Sequence, residues 1–307
     1  MATPIHSAGG RTSVPDGSDT RRITFSSNKG GVGKTSLAAT TAGLAAERGY
    51  RVLMVDLDPQ ANLGLDLGYH GTDVDDKGEA LFEALALERP LRVTEGIREN
   101  LDVVVGGNKI EMLAYMPSDD PTHRMATLRR ALQPLWPAYD LVIVDSPPLV
   151  KPLREMALAA SQYVIIPTRG DSASVTGVTG IAGDFARVRD ASPELELLGV
   201  ALFGLGSSSK AVRAAVRDRV GAGLGTIAPV FEHVIRHVES PAVNARNRGM
   251  LVQEYARELR GARSFTERKK ADSAQRLADD YAGLTAEVLT LIEHRRADVV
   301  APTVMAR

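Results

Sequence analysis

Cysteine is absent from this 307-residue chain, and no apolar run is long enough to cross a bilayer. Without cysteine there can be no disulfide bond, no cysteine-ligated zinc and no iron–sulfur cluster. The lack of a long apolar run predicts no transmembrane helix, and the lack of an apolar N-terminal core predicts no secretory signal. We therefore expect a cytoplasmic protein. With 44% hydrophobic residues the chain can bury the core of one large α/β domain or two small ones.

Net charge is also low, at −1, but the charges are unevenly distributed along the chain. Residues 56–120 contain 5 basic and 15 acidic residues, whereas residues 208–270 contain 13 basic and 6 acidic residues. Charged stretches of this kind can be ordinary solvated surface. A basic stretch can also be a surface that binds the phosphates of nucleic acid. The charge pattern alone leaves both interpretations open.

A glycine-rich loop spans residues 28–35 and reads Asn-Lys-Gly-Gly-Val-Gly-Lys-Thr. It lies between apolar residues 23–25 and helix-forming residues 36–39, which is the strand–loop–helix order of a phosphate-binding P-loop. Such glycines let backbone N–H groups face phosphate oxygens, and the helix N-terminus adds partial positive charge. Lys34 would reach the β- and γ-phosphates, and Thr35 would ligate Mg²⁺. The predicted nucleotide-binding residues are Lys29, Gly30, Gly31, Val32, Gly33, Lys34, Thr35 and Ser36.

Two further apolar runs end in carboxylates. Residues 52–55 lead into Asp-Leu-Asp-Pro-Gln, and residues 141–144 lead into Asp-Ser-Pro-Pro. Both are typical of buried parallel strands, whose carboxyl ends form the ligand-binding edge of open α/β sheets. Asp145 ends its run as a Walker B carboxylate does, although aspartate at such a place can also cap a helix. The predicted magnesium residues are Thr35, Asp56 and Asp145, with the two carboxylates in the outer shell of the metal.

Together the three segments resemble the deviant Walker A ATPases of the ParA/MinD superfamily and, within it, the ParA-type (Soj-like) DNA-partition ATPases. The resemblance extends from about residue 22 to about residue 259. It implies an α/β fold of the P-loop NTPase type, with a doubly wound, mostly parallel sheet flanked by helices. It also implies ATP and Mg²⁺ as cofactors. The lack of cysteine argues against the branches of the superfamily that bind iron–sulfur clusters.

The resemblance implies a role for each catalytic side chain. Lys34 would neutralise charge on the γ-phosphate, Asp145 would hold a metal-bound water, and Asp58 would position or activate the attacking water. A lysine so close to Lys34 would repel it across an empty loop, a conflict that bound triphosphate removes. In the resembled family the extra lysine, here Lys29, reaches the nucleotide of a partner subunit, as an arginine finger does. The implied catalytic residues are Lys29, Lys34, Asp58 and Asp145.

The function implied by this resemblance is DNA partition. The chain would form an ATP-dependent sandwich homodimer and bind non-specific duplex DNA of the nucleoid. A centromere-binding, ParB-like adaptor would stimulate hydrolysis, which dissolves the dimer, and the cycle would segregate plasmid, phage or chromosome DNA. DNA contacts would be made to phosphates by the basic part of the chain. The predicted DNA-binding residues are Lys210, Arg213, Arg217, Arg236, Arg246 and Arg248.

Two alternatives remain open at the level of sequence. A MinD-like ATPase would act on a membrane through a C-terminal amphipathic helix with bulky apolar and lysine-rich faces. Residues 293–300 fit that pattern poorly, so we expect no membrane partner. A positioning ATPase for a protein compartment would use the same nucleoid DNA, and sequence does not separate it from a partition ATPase.

The predicted organisation is a flexible tail over residues 1–20, one P-loop ATPase domain over 21–296 with a basic C-terminal part, and a flexible tail over 297–307. An apolar stripe between residues 274 and 292 has helical spacing. It could pack on the sheet of its own domain or dock on a membrane. The other predicted helices span 34–48, 78–87, 125–135, 173–190 and 209–220, and the other strands 101–105, 163–167 and 197–203.

Overall fold

The computed structural model describes residues 20–169, 172–205, 211, 214–216, 218, 229–261 and 264–300. The described residues form one eight-stranded sheet in the order β3-β4-β2-β5-β1-β6-β7-β8. Every neighbouring pair is parallel except β3 and β4, which are antiparallel. The strands are β1 (Arg21–Phe25), β2 (Val52–Asp56), β3 (Thr94–Arg98), β4 (Leu101–Val104), β5 (Leu141–Asp145), β6 (Tyr163–Thr168), β7 (Glu196–Leu205) and β8 (Ile235–Arg236).

Helices cover both faces of the sheet. Successive side chains of a strand point to opposite faces, so Met54 of β2 joins one core cluster while Leu53 and Val55 join another. Helices α1, α8, α9 and α10 pack on the first face, and α3, α5, α6 and α7 on the second. The helices are α1 (Lys34–Glu47), α2 (Asn62–Leu67), α3 (Glu79–Ala86), α4 (Pro121–Met125), α5 (Thr127–Leu132), α6 (Lys151–Ala159), α7 (Ser172–Ala191), α8 (Glu239–Asn247), α9 (Val252–Glu258) and α10 (Phe265–Val300).

The centre of the sheet positions the site. Strands β2 and β5 are buried along their whole length, as expected of parallel strands covered on both faces. Phe25 at the end of β1 pairs with Asp145 at the end of β5, and Asp145 pairs with Asp56 at the end of β2. The P-loop and both carboxylate segments therefore leave the sheet side by side, at its carboxyl edge.

The apolar stripe predicted near the C-terminus lies on α10 and packs on the protein itself. Leu277, Tyr281, Leu284 and Val288 are at most 2% exposed and belong to the same core cluster as Leu37 of α1. This confirms the first of the two predictions for the stripe, that it packs on its own domain and does not dock on a membrane. None of the described helices combines the length and the apolar character that crossing a membrane requires.

Most predicted elements agree with the structure to within two residues at each end. The single helix predicted over 125–135 is wrong, because α4 ends at Met125, α5 ends at Leu132 and a 3₁₀ helix follows over Gln133–Ala138. Prolines 134 and 137 have no amide hydrogen to continue an α-helix there. The helix α10 runs to Val300, past the predicted boundary at 296.

The predicted tails and the predicted basic helix are described only in part. Residues 1–19 and 301–307 and most of 209–220 lie outside the described residues. Thr20, which we assigned to the N-terminal tail, is buried, and its hydroxyl donates to the Trp136 carbonyl oxygen at 2.7 Å. Thr20 is therefore packed on the domain and does not belong to a flexible tail.

Candidate nucleotide-binding site

The P-loop joins β1 to α1 and opens onto a cavity of about 380 Å³. Gly33 has φ 82°, a left-handed conformation that glycine adopts without strain. A Cβ at this position would come within 2.4 Å of the ring of Phe203 on β7, so the close packing also requires glycine. The residues that line the cavity are Lys29, Gly30, Gly31, Gly33, Lys34, Thr35, Ser36, Asp58, Gln60, Asn62, Pro148, Phe203 and Arg246.

Lys34 lies between two carboxylates at the base of this cavity. Its Nζ is 2.5 Å from Oδ1 of Asp145 and 3.5 Å from Oδ2 of Asp58. Burial alone would lower the pKa of Lys34, but the charges of Asp145 and Asp58 outweigh burial and raise the pKa above its usual value. Lys34 is therefore protonated at neutral pH and supplies the cation that a phosphate site needs.

Asp56 and Asp145 form a buried acidic pair beside Lys34. Burial is the largest cause that raises the pKa of each carboxyl, and the charge of Asp145 raises that of Asp56 further. The charge of Lys34 and its hydrogen bond to Asp145 oppose the rise in the pKa of Asp145. The Oδ2 atoms of both carboxylates are buried and accept no hydrogen bond from the described residues.

These two oxygen atoms and the Thr35 hydroxyl fit a magnesium ion and its waters. Mg²⁺ keeps several waters and binds through one or two protein oxygens together with the phosphates of a nucleotide. Buried carboxylate oxygens that lack a donor can accept hydrogen bonds from those waters. In the described part of the chain, no three acidic or histidine side chains form a metal site by themselves.

Asp58 is held in place by hydrogen bonds with two neighbouring residues. Its Oδ1 accepts a hydrogen bond from the Gln60 N–H at 3.1 Å, and its N–H donates to Oδ1 of Asp56 at 3.1 Å. The carboxylate lines the cavity and is 6% exposed. This fixes Asp58 where it could orient a water molecule near bound phosphate. The catalytic role itself stays a prediction.

Lys29 lies at the mouth of the cavity. Its backbone N–H donates to the Ser27 hydroxyl at 3.1 Å, and that hydroxyl donates back to the Lys29 carbonyl oxygen, also at 3.1 Å. The side chain is half-buried and lines the cavity. Its contact with a partner subunit stays a prediction, because the structure contains one chain.

Arg246 also lines this cavity, although sequence reasoning assigned it to DNA. Its guanidinium forms two hydrogen bonds with Asp66, from Nε to Oδ1 at 2.5 Å and from Nη2 to Oδ2 at 3.0 Å. Sequence reasoning missed Asp66 and Phe203 altogether. A signal for Asp66 was present in the sequence. Asp66 stands four residues after Asn62 on α2, so the two side chains share the helix face that follows the Asp-Leu-Asp-Pro-Gln segment.

The other predicted DNA-binding residues are scattered or outside the described residues. Arg236 pairs with Asp280 and is 42% exposed, and Arg248 pairs with Glu258 and is 50% exposed. Both side chains are therefore partly accessible to solvent. Lys210, Arg213 and Arg217 lie outside the described residues. The DNA contact therefore stays a prediction at all six predicted positions.

Comparison with known proteins decides the family. Residues 20–197 match a family model described as an AAA domain. Over 185 residues the chain is 36% identical to the chromosome-partitioning ATPase Soj of Thermus thermophilus, an alignment that covers 59% of this chain and 68% of Soj. The chain belongs to the ParA/MinD superfamily, in its ParA-type branch. A second relative of this ParA-type chain is the chromosome partitioning protein ParA of Myxococcus xanthus, 32% identical over 192 residues, which are 59% of this chain and 64% of that protein.

Solved structures agree with the fold of the ParA-type chain. The ATP complex of a McdA variant from Cyanothece superposes with a TM-score of 0.68 at 21% identity, over 89% of this chain and 97% of that one. MinD of Pyrococcus horikoshii with Mg-ADP superposes with a TM-score of 0.64 at 23% identity, over 90% and 98% of the two chains. These likenesses confirm the predicted doubly wound P-loop fold.

Proposed function

We propose that this chain is a Mg²⁺-dependent ATP hydrolase that forms a sandwich homodimer when ATP is bound. The observation that carries the proposal is the position of Lys34, buried between Asp145 and Asp58 at the base of the P-loop cavity. Phosphoryl transfer to water needs a cation on the γ-phosphate, a held metal ion and an oriented water. Residues suited to all three tasks line or adjoin this one cavity.

Each task falls to a named group. Lys34 and the loop N–H groups stabilise the negative charge of the phosphates. The Thr35 hydroxyl and the Asp145 carboxylate would hold Mg²⁺ and its waters, and the ion would supply positive charge that stabilises the developing negative charge. Asp58 accepts a hydrogen bond from the attacking water and so directs its oxygen towards phosphorus.

The cycle that we propose couples this chemistry to DNA. ATP brings two subunits together, the basic parts of both subunits form one surface, and that surface binds duplex DNA of the nucleoid without sequence preference. A ParB-like adaptor stimulates hydrolysis, the dimer separates and the DNA is released. The 36% identity to a chromosome-partitioning ATPase supports this cycle, in a cytoplasmic, nucleoid-associated protein.

The second candidate is a positioning ATPase of MinD or compartment type. The likeness to McdA and MinD structures supports it through the fold alone. The apolar stripe of α10 is buried in the domain core, so this stripe does not offer a membrane-binding face. We therefore favour DNA as the surface on which the protein acts, whether the cargo is a DNA molecule or a protein compartment.

Replacement of Lys29 tests the contact between subunits. Lys29→Ala should bind ATP with parent-like affinity, because Lys34 and the loop amides remain in place. The dimer should weaken by about tenfold or more, because the variant cannot make a charge-assisted hydrogen bond to the partner's nucleotide. Light scattering across a dilution series with ATP measures the dimer. Lys109→Ala, an exposed lysine outside the cavity, is the control. An undiminished dimer in Lys29→Ala would remove the role in trans.

Charge removal in the basic part tests the DNA surface. One variant replaces Lys210, Arg213, Arg217 and Arg236 with glutamine. With ATP present, it should bind every duplex sequence more weakly than the parent protein does. The slope of log affinity against log salt should flatten by up to roughly 0.9 for each phosphate that the variant no longer neutralises. Fluorescence anisotropy with two unrelated labelled duplexes measures both effects. The matched control replaces four exposed basic residues of the acidic part, Lys77, Arg89, Arg92 and Lys109. Equal losses of affinity in the two variants would mean that position on the surface does not matter.

A further inference from the structure

Arg246 occupies a place that the proposed chemistry does not use. It lies in the last turn of α8, yet its guanidinium reaches the P-loop cavity on the side of Ser36. Its Nη2 donates a hydrogen bond to the Ser36 hydroxyl at 3.2 Å. Lys34 is held at another part of the cavity, by Asp145 and Asp58. The cavity therefore has a cationic side chain that comes from a part of the sequence far from the P-loop and its lysines.

Asp66 fixes the orientation of Arg246. The carboxylate is 8% exposed at its side chain and receives hydrogen bonds from both Nε and Nη2 of the arginine. A two-point contact between a planar guanidinium and a carboxylate restricts the direction of the remaining N–H groups. The Ser36 hydroxyl also contacts Asp66 at 3.2 Å, so the three side chains form one connected cluster against the first turn of α1.

Part of the guanidinium is left for a ligand. Arginine has five N–H donors in a fixed fork, on Nε, Nη1 and Nη2. The contacts with Asp66 and Ser36 involve Nε and Nη2, whereas Nη1 donates no hydrogen bond to any described residue. The side chain lines the cavity and is 36% exposed. A planar, permanently charged donor group that borders a P-loop matches a phosphate group.

We propose that Arg246 binds the nucleotide phosphates directly, through Nη1, and that Asp66 is the positioning residue that holds it there. This inference rests on the proposed nucleotide function of the cavity. Lys34 of a P-loop reaches the β- and γ-phosphates, while the loop amides cradle the α- and β-phosphates. Ser36 follows Lys34 and Thr35 into α1, so Arg246 approaches from the side of the phosphates that ATP and ADP share. Arg246 is thus a nucleotide-binding residue.

Calorimetric titration of the full chain with Mg-ATP and with Mg-ADP tests this assignment. Arg246→Gln keeps an amide that can donate to Asp66 but loses the charge and the Nη1 donors. It should weaken the binding of both nucleotides by about tenfold or more, the size expected for a hydrogen bond to a charged group. Arg257→Gln is the matched control, because Arg257 is an exposed arginine of α9 that pairs with Glu47 outside the cavity. Its affinities should equal those of the parent.

The role of Asp66 is measured by a double-mutant cycle. Asp66→Asn replaces one of the two oxygens that accept hydrogen bonds from Arg246 with an amide N–H₂ group. Because that group donates and does not accept, the two-point contact is broken. It should weaken nucleotide binding, and the double variant with Arg246→Gln should bind no more weakly than Arg246→Gln alone. Strictly additive losses of affinity would show that Asp66 acts independently of Arg246 and would remove the positioning role. Asp66→Glu restores the carboxylate and should recover part of the affinity.

Several results would overturn the assignment of Arg246. Parent-like affinity of Arg246→Gln for both nucleotides would do so, and so would an equal loss of affinity in Arg257→Gln. Thermal unfolding of each variant without nucleotide checks that the fold is kept. Should Arg246→Gln not fold, Arg246→Lys retains the charge but has no two-point contact with Asp66, and parent-like affinity in that variant would also overturn the assignment. A parent chain that binds no nucleotide would instead refute the proposed function itself.

Discussion

Lys34→Ala should lose ATP hydrolysis by about 100- to 1,000-fold, the effect typical of removing one preorganised donor from a developing charge. Lys34 is the buried cation at the base of the P-loop cavity, where it lies 2.5 Å from Asp145. Its removal takes away a cation that would bind the β- and γ-phosphates, so ATP affinity should fall as well. Phosphate release under saturating Mg-ATP measures the rate, and titration measures the affinity.

A second variant separates loss of phosphate binding from loss of stability. Removing Lys34 leaves Asp145 buried without its cation, which can cost about 3–5 kcal/mol of folding free energy. Lys34→Arg keeps a cation near Asp145 but changes the shape of the group that faces phosphate. Its folding should be closer to that of the parent, and its hydrolysis should still be strongly reduced. Normal binding and hydrolysis in Lys34→Ala would show that this loop is not a nucleotide site.

Asp58→Ala should bind ATP, fail to hydrolyse it and accumulate as a dimer. Asp58 lines the cavity and is positioned by the Gln60 N–H, so its loss should affect the water rather than the phosphate cradle. A side chain that orients or activates water contributes roughly 100- to 10,000-fold to a rate. Size-exclusion chromatography with light scattering should show a doubling of the 32.8 kDa subunit mass with ATP and not with ADP.

The control for Asp58→Ala removes the same charge from an aspartate that lies outside the cavity. Asp119 is exposed and does not line the cavity, so Asp119→Ala should hydrolyse ATP at the parent rate. Hydrolysis at the parent rate by Asp58→Ala would refute the role of Asp58. If Asp58→Ala binds ATP, does not hydrolyse it and stays monomeric, the role of Asp58 in hydrolysis stands but the proposed sandwich dimer is contradicted.

The P-loop and its carboxylates could be predicted from sequence because each is a short motif at the end of a buried strand. Residues within such a motif are neighbours in the chain, so their spacing already fixes their geometry. Parallel pairing of β1, β5 and β2 then brings Phe25, Asp145 and Asp56 into register. The doubly wound fold follows from the same alternation of strands and helices.

The contacts of Arg246 could not be predicted in this way. Arg246 is 180 residues from Asp66 and 210 residues from Ser36, and no local periodicity reports a contact over such separations. It lies in the basic part of the chain, where Asn247 and Arg248 follow it, so composition placed it on a DNA surface. Only the packing of α8 beside α2 and the P-loop brings the guanidinium into the cavity. The broken helix at 125–135 has a local cause, since Pro134 inside it and Pro137 just after it were visible in the sequence.

Nucleotide-dependent DNA binding is the most direct test of the proposed cycle. The measurement is the anisotropy of a labelled random-sequence duplex titrated with Asp58→Ala protein, whose ATP complex is expected to persist. With Mg-ATP we expect saturable binding that falls steeply with salt, and with Mg-ADP we expect binding weaker by about tenfold or more, because one subunit offers half of the phosphate contacts. Equal binding in ATP and ADP would contradict the coupling, and binding of the ATP form to anionic vesicles but not to DNA would favour the membrane-positioning alternative.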